Sequence, residues 1–415
     1  QISQFILSLS ILIVLHEMGH FIPAKLFKTK VEKFYLFFDP WFSLFKVKRG
    51  ETEYGIGWLP LGGYVKISGM IDESMDKEQM KLPPQPWEFR SKPAWQRLII
   101  MVGGVTVNVI LGILIYSFVL AHWGEEYLPA KNATYGVSVD TLAYQIGLRD
   151  GDKVLSVDHK PVDNIAKVSY DVLINKAQSI QVMRDGKEMS FDVTEDDLTE
   201  MIHNKYLLVE PRFPCVVKEI MSGKPAATAN MKEGDRIIAI NNIATPYRND
   251  VTKTLLNNRN LTVNLTILRK DDTVRTKCGV TDDGMLGIKL QTDISNFFTP
   301  EIKQYSFLAS IPAGFNKAYE TFDGYAKQLK LLFTVKGAAK EMGGFVTIGK
   351  AYSTTWNWEH FWNFTAFLSI VLAFMNILPI PALDGGHVIF LLYEIITRRK
   401  PHEKVLEYAQ YTGMA

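Results

Sequence analysis

Residues 2–20 read ISQFILSLSILIVLHEMGH: an almost wholly apolar run from Ile2 to Val14, then Leu15, then His16-Glu17-Met18-Gly19-His20. A helix this apolar suits a bilayer. On a helix, two His at i and i+4 share one face and can reach one Zn²⁺ together. Glu17 stands beside them and can take a proton from water at the metal. An HExxH sequence also arises by chance on soluble amphipathic helices, and a lone His is usually exposed or satisfied. That reading would leave three polar groups in an apolar helix with no evident partner, which is costly. A metal site inside a membrane helix is the stronger reading.

Two further apolar segments follow. Leu98 to Ala121 is long enough to cross about 30 Å of hydrocarbon. Phe361 to Leu378 runs into Pro379-Ile380-Pro381, and another apolar run, Val388 to Ile396, precedes Arg398-Arg399-Lys400. The whole chain of 415 residues is 47% hydrophobic with mean hydropathy +0.01. Those averages are too mild for a pure membrane bundle, so a sizeable soluble part is expected beside the spans. A net charge of +2 gives no bulk electrostatic case for nucleic acid. Cys215 and Cys278 form no CxxC pair, which excludes a Cys-based zinc site. They are either one disulfide in an oxidising compartment or two thiols. The first segment lacks a basic n-region and an A-x-A-like cleavage site, so it is expected to be retained.

Lys and Arg set the orientation. They crowd between the first two spans, from Lys25 to Arg97, and again after the third as Arg398, Arg399, Lys400 and Lys404. Both stretches belong on the cytoplasmic side, which puts about 122–360 and the N-terminus outside. Within the first loop, Glu53 to Lys66 (EYGIGWLPLGGYVK) is rich in Gly and aromatics and reads as a hairpin. Trp58 and Tyr64 suit an interface, favouring a hairpin that dips into the membrane over an ordinary surface one.

The external part contains a repeat. Ala143 to Asp158 (AYQIGLRDGDKVLSVD) and Ala226 to Asn241 (AATANMKEGDRIIAIN) each read as a short helix, a Gly-Asp turn and an alternating strand. Both resemble PDZ domains of the bacterial protease-associated form, which bind extended peptides at a sheet edge. Peptide capture and steric filtering are equally good readings, and inert spacers are the bland one. From Glu301 to Lys340 the pattern turns helical, with Phe315, Tyr319, Phe322, Leu329 and Leu332 at helical spacing. That is a packing face, against the membrane surface or the repeat pair.

A catalytic zinc usually takes three protein ligands. Pro23 and Leu26 stand where the metzincin form needs Gly and His; Glu32 is too close, and Glu51 lies in the basic loop. The better candidate is Asp384, in Asn376-Ile-Leu-Pro379-Ile-Pro381-Ala-Leu-Asp384-Gly385-Gly386-His387. The prolines break the helix and the glycines allow close backbone approach. Broken backbone at membrane depth lines a protein cavity, and a buried carboxylate there needs a cation. His387 is a lower-ranked rival.

HEMGH, LGGYVK, the two PDZ-like repeats and NILPIPALDGG together resemble the site-2 protease family of intramembrane zinc metalloproteases, nearest its bacterial regulator-of-sigma-E type. The resemblance covers nearly the whole chain. It implies His16, His20 and Asp384 as ligands of the Zn²⁺ cofactor and Glu17 as catalytic acid and base. It implies that Asn376 contacts the substrate backbone, that Pro379 to Pro381 helps clamp an unwound substrate, and that Gly62, Gly63 and Tyr64 belong to a membrane-reentrant hairpin presenting the substrate as a strand. The implied partners are the lipid bilayer and single-pass membrane proteins of anti-sigma-factor type, with remnant signal peptides as a further substrate. The implied place is the bacterial inner membrane, with periplasmic PDZ domains and an active site toward the cytoplasm. Two departures stand out. The family has a further membrane helix after LDGG, expected to follow Ala415, and often Gly-Gly-Pro where this chain has Gly343-Gly344-Phe345.

The expected fold is a polytopic α-helical membrane protein with a membrane-associated β-hairpin and two extracytoplasmic PDZ-like α+β domains. Its parts are a first span at 1–24, a cytoplasmic loop with the hairpin at 25–97 and a second span at 98–122. PDZ-like domains follow at 123–210 and 211–295, then a helical segment at 296–360, a third membrane segment at 361–397 and a cytoplasmic piece at 398–415. The rival reading is a catalytically silent membrane scaffold that binds peptides through its PDZ pair. Glu17 argues against it, since a structural zinc site does not need that residue.

Overall fold

The computed structural model describes residues 1–70, 82–204, 206–334, 345–381, 383–399 and 408, without the side chains of Leu61, 331–334 and 345–347. Gly343-Gly344, Lys400, Lys404 and the stretch from Tyr411 to Ala415 lie outside the described residues. The chain divides into two compact units. The first contains residues 1–124, 304–331 and 342–415; the second contains 125–303 and 332–341.

Among the described residues, three helices of the first unit are long and apolar enough to cross a membrane: Ile2–Leu26, Ala94–His122 and Trp358–Ile377. The second helix is the hub. Its Ile115, Tyr116 and Val119 pack with Ala366 and Ile370 of the third. The first helix joins through Leu12, which packs with Phe361 and Leu368. Small hydroxyls stitch the apolar contacts: Thr365 Oγ1 donates to Ser8 Oγ at 2.9 Å, and Ser369 Oγ to the Asn108 carbonyl at 2.7 Å. Such bonds matter where no water competes for them.

The loop between the first two helices holds two long antiparallel strands, β1 (Val31–Arg49) and β2 (Thr52–Ile67). The sheet doubles back on itself. Lys33 to Leu36 face Lys66 to Gly63 on one side and Glu53 to Ile56 on the other, while Phe45 to Arg49 face Ile56 to Thr52. The stretch Glu53–Lys66, read from sequence as a hairpin, does reverse between Ile56 and Gly63, but its two arms flank Lys33 to Leu36 instead of pairing with each other. A further turn at Gly50-Glu51 joins β1 to β2, and the segment between the two arms lies upstream, in what read as basic loop. Glycines of β2 also serve close approach. A Cβ on Gly62 would stand 2.7 Å from the Phe38 ring, and one on Gly55 would strike the Tyr35 ring.

In the second unit the two repeats take the same strand order. One sheet runs Lys160–Pro161, Lys153–Val157, Ser179–Arg184, Lys187–Asp192; the other runs Ile243–Ala244, Arg236–Ile240, Thr262–Arg269, Asp272–Gly279. The Asp of each Gly-Asp turn is buried and gripped by an Arg fork. Arg184 Nε and Nη2 donate to Asp152 at 2.7 Å each, and Arg269 Nε and Nη2 to Asp235 at 2.8 Å each. Burial works to raise the Asp235 carboxyl, but the Arg269 fork and the Lys232 N–H together outweigh it and hold that carboxyl below its ordinary value. Cys215 and Cys278 are free thiols buried in the core of the second repeat. Burial pushes Cys215 up to about 12 and Cys278 up to about 11.

The helical segment begins later than residue 296. Phe298 returns to the core of the first repeat, and Glu301–Lys303 forms a strand with Glu125–Tyr127. The helix itself spans Phe307–Thr334. Phe322 and Tyr325 rest on Phe374 of the third apolar helix, while Phe307, Leu308, Phe315 and Tyr319 are exposed.

Candidate metal centre

The HEMGH turn reaches its position because the first two helices touch backbone to backbone. A Cβ on Gly19 would stand 2.8 Å from the Gly104 Cα and collide with the Gly103 carbonyl. A Cβ on Gly104 would stand 2.6 Å from His16 Cε1 and 2.9 Å from its Nδ1. The Gly103-Gly104 pair thus forms a cradle that any side chain would fill. His20 Nδ1 lies 2.8 Å from the Ile100 carbonyl. A carbonyl only accepts, so Nδ1 carries the proton and Nε2 keeps its lone pair.

Asp384 arrives from the opposite end of the chain. The third apolar helix stops at Ile377, because Pro379 and Pro381 have no N–H to continue it. The chain reverses through Leu383, and a new helix, Asp384–Thr397, begins. Asp384 occupies its first turn, where the helix dipole favours a carboxylate. Gly385 and Gly386 let this helix start hard against the turn; a Cβ on Gly386 would stand 2.7 Å from the Ile380 carbonyl. The helix is tied to the second apolar helix by a largely buried ion pair, Arg97 Nη2 to Glu394 Oε1 at 2.5 Å.

These elements bring three ligand atoms together. His16 Nε2 and His20 Nε2 are 3.3 Å apart, and they lie 3.4 and 3.3 Å from Asp384 Oδ2. A tetrahedral zinc with bonds of about 2.0–2.1 Å has ligand atoms about 3.4 Å apart. Asp384 Oδ2 is buried and accepts no hydrogen bond, which leaves it available to a cation. The donor set, the spacing and the orphaned oxygen all fit Zn²⁺. Among the described residues this is the only such group of three, and His387 is not part of it.

The other expected residues distribute around this triangle. Glu17 is partly buried and acts electrostatically on the His20 ring. Asn376 Nδ2, from the last turn of the third helix, is 3.4 Å from His16 Nε2. Pro379 is exposed and Pro381 partly buried, in the turn before Asp384. Gly63 backs onto Ile13, where a Cβ would come 2.5 Å from its Cγ2, one helical turn before His16. Tyr64 is different, for its side chain is occupied within the sheet. It stacks between Tyr35 and Phe38 and donates to Asp39 Oδ1 at 2.8 Å. Burial and that carboxylate push the phenol far up, so it stays a hydrogen-bond donor. Among the described residues no strand pairs with the outer edge of Gly63–Ile67.

Sequence reasoning missed Asn108. It is fully buried in the second apolar helix, with Nδ2 3.2 Å from His16 Nδ1. A lone carboxamide amid the apolar run 98–121 was the available signal.

A family model described as "Peptidase family M50" matches residues 4–415. Curated relatives named "Putative zinc metalloprotease" resemble the chain over its length. One from Treponema pallidum is 26% identical over 98% of this chain and 94% of its own. One from Rickettsia conorii is 27% identical over 96% and 90%, and one from Borreliella burgdorferi 27% over 98% and 93%.

Proposed function

This chain belongs to peptidase family M50, the site-2 protease family of zinc metalloproteases, and on that premise we propose that it hydrolyses peptide bonds within membrane-spanning segments of single-pass proteins. The observation that carries this is the triangle of His16, His20 and Asp384 with edges of 3.3–3.4 Å, its two His on a helix long and apolar enough to cross a bilayer. These three residues would hold the Zn²⁺ cofactor, which supplies the Lewis acidity that activates water and polarises the scissile carbonyl. Glu17 takes a proton from the attacking water and returns it to the leaving amine. The Asn376 amide, beside His16, orients the substrate backbone.

A substrate helix hides its carbonyls in its own hydrogen bonds and must unwind before attack. The open edge of Gly63–Ile67 supplies replacement backbone partners by strand addition, which matters where water is scarce. Gly62 and Gly63 let this strand pack closely on Phe38 and Ile13, and Tyr64 contributes backbone rather than its engaged phenol. Pro379 and Pro381 keep the facing chain irregular and clamp the substrate.

The Lys and Arg distribution supports a cytoplasmic sheet, an active site toward that face, and the two repeat modules outside. We read the modules as PDZ-like domains that filter substrates by their extracytoplasmic ends. The setting is a bacterial inner membrane, with anti-sigma-type proteins, or remnant signal peptides, cut during regulated intramembrane proteolysis.

Glu17→Gln tests the reading on a single-pass membrane substrate reconstituted with the enzyme. Cleavage should fall at least about 100-fold, in line with loss of a positioned acid and base, with zinc retained. Undiminished cleavage would overturn the enzyme assignment. If the parent enzyme cuts soluble peptides only, the intramembrane part fails instead.

A further inference from the structure

We propose that Asn108 is a positioning residue that decides which ring nitrogen of His16 carries the proton. This inference rests on the reading of His16 as a zinc ligand. His16 faces the metal triangle with Nε2 and turns Nδ1 away, toward the Asn108 amide 3.2 Å off. A neutral imidazole has one N–H and one lone pair. For Nε2 to offer its lone pair to zinc, the proton must sit on Nδ1, and a buried Nδ1–H needs an acceptor.

Asn108 is the group in reach, and it is fully buried. As it stands, Nδ2 donates to Nδ1 while Oδ1 is buried without any hydrogen-bond partner. That arrangement suits the other tautomer, with the proton on Nε2 beside Asp384 Oδ2 at 3.4 Å. The two ends of a carboxamide have the same shape. A half-turn about its Cβ–Cγ bond puts the orphaned Oδ1 opposite Nδ1, and the ring can then carry its proton there. One amide can thus serve either tautomer: as donor to a bare Nδ1, or as acceptor from Nδ1–H when Nε2 is a ligand. His20 has no such freedom, because the Ile100 carbonyl holds it in the metal-ready tautomer throughout.

Asn108 can turn without losing its place in the fold. Its backbone carbonyl is separately held by Ser369 Oγ of the third apolar helix at 2.7 Å. A Cβ on the neighbouring Gly104 would crowd the same Nδ1 edge, at 2.9 Å.

The test is zinc affinity by chelator competition, in the purified full chain, for Asn108→Leu, Asn108→Asp and His16→Ala. Leu has similar volume and no acceptor, and Asp has the acceptor without the donor. Asn108→Leu should bind zinc about 10- to 100-fold more weakly, as outer-shell substitutions do. Asn108→Asp should bind at least as tightly as the parent. Thermal unfolding of the metal-free proteins reports any folding defect separately. Parent-like affinity in Asn108→Leu overturns the proposal. So does an Asn108→Asp protein that folds like the parent yet binds as weakly as the Leu variant. His16→Ala keeps the two claims apart: if it retains parent affinity the ligand reading fails, whereas loss there with none in Asn108→Leu sinks the Asn108 role alone.

Discussion

At Gly104 a single missing methyl decides whether two imidazoles can stand where they do. The added Cβ of Gly104→Ala would fall 2.6 Å from a His16 ring atom, and neither backbone can retreat, because Gly19 already touches Gly103. Zinc affinity should drop about 10-fold or more. Gly112→Ala is the control: its Cβ meets the tip of Ile370, a side chain that can shift, so it should cost stability and leave affinity unchanged. Chelator competition beside thermal unfolding distinguishes the two. At this scale the sequence was legible where chemistry forces an exception to composition. His16, Glu17, His20 and Asp384 are anomalous in apolar surroundings, and the anomaly points to them. Asn108 breaks the same rule, yet its partner lies 92 residues away, and no local pattern links a carboxamide to a distant ring.

Among the elements, the repeats were readable and the sheet only in part. The repeats announce themselves by alternation and by Gly-Asp turns, and each Asp then meets its Arg fork about 30 residues on. In the β1–β2 sheet the reversal within 53–66 was readable from its glycines, but the upstream segment between its arms was not, because glycine signals both turns and close packing. Gly55, Gly57, Gly62 and Gly63 cluster as turn residues would, whereas the aromatics that need their missing side chains sit upstream at Tyr35 and Phe38. The forks carry a pH prediction. With its carboxyl held below the ordinary value in the fold, Asp235 contributes stability that is fully present above the unfolded value of about 3.9. That contribution is lost as pH falls through the lower folded value. Asp235→Asn should therefore lower thermal stability at neutral pH and flatten the stability decline below about pH 4. Circular dichroism melts of the full chain against the parent check both; a parallel decline in the two proteins would refute the assignment.

For the whole molecule, the metal triangle exists only where the first and second apolar helices and the Asp384–Thr397 helix meet. A peptide of residues 1–30 should bind zinc no better than any two-His helix, at least about 100-fold weaker than the intact chain; equal affinity in the two would show that Asp384 is dispensable. The end-to-end closure was legible in outline, since a buried Asp needs a cation and HEMGH lacks a third ligand. The Arg97–Glu394 tie that seats the last helix was not, because each residue alone reads as an ordinary flanking charge. The two buried thiols have a practical consequence. Cys215 and Cys278 are the chain's only cysteines, and both lie in one repeat module. Buried, and pushed toward 12 and 11, they are almost wholly protonated and unreactive while that module is closed. A maleimide in enough excess to outpace reclosing would thus react with the membrane-embedded enzyme at the rate at which this one module opens. The chain carries its own stopwatch for breathing in that module, with no label to install and no cysteine in its three apolar helices to compete.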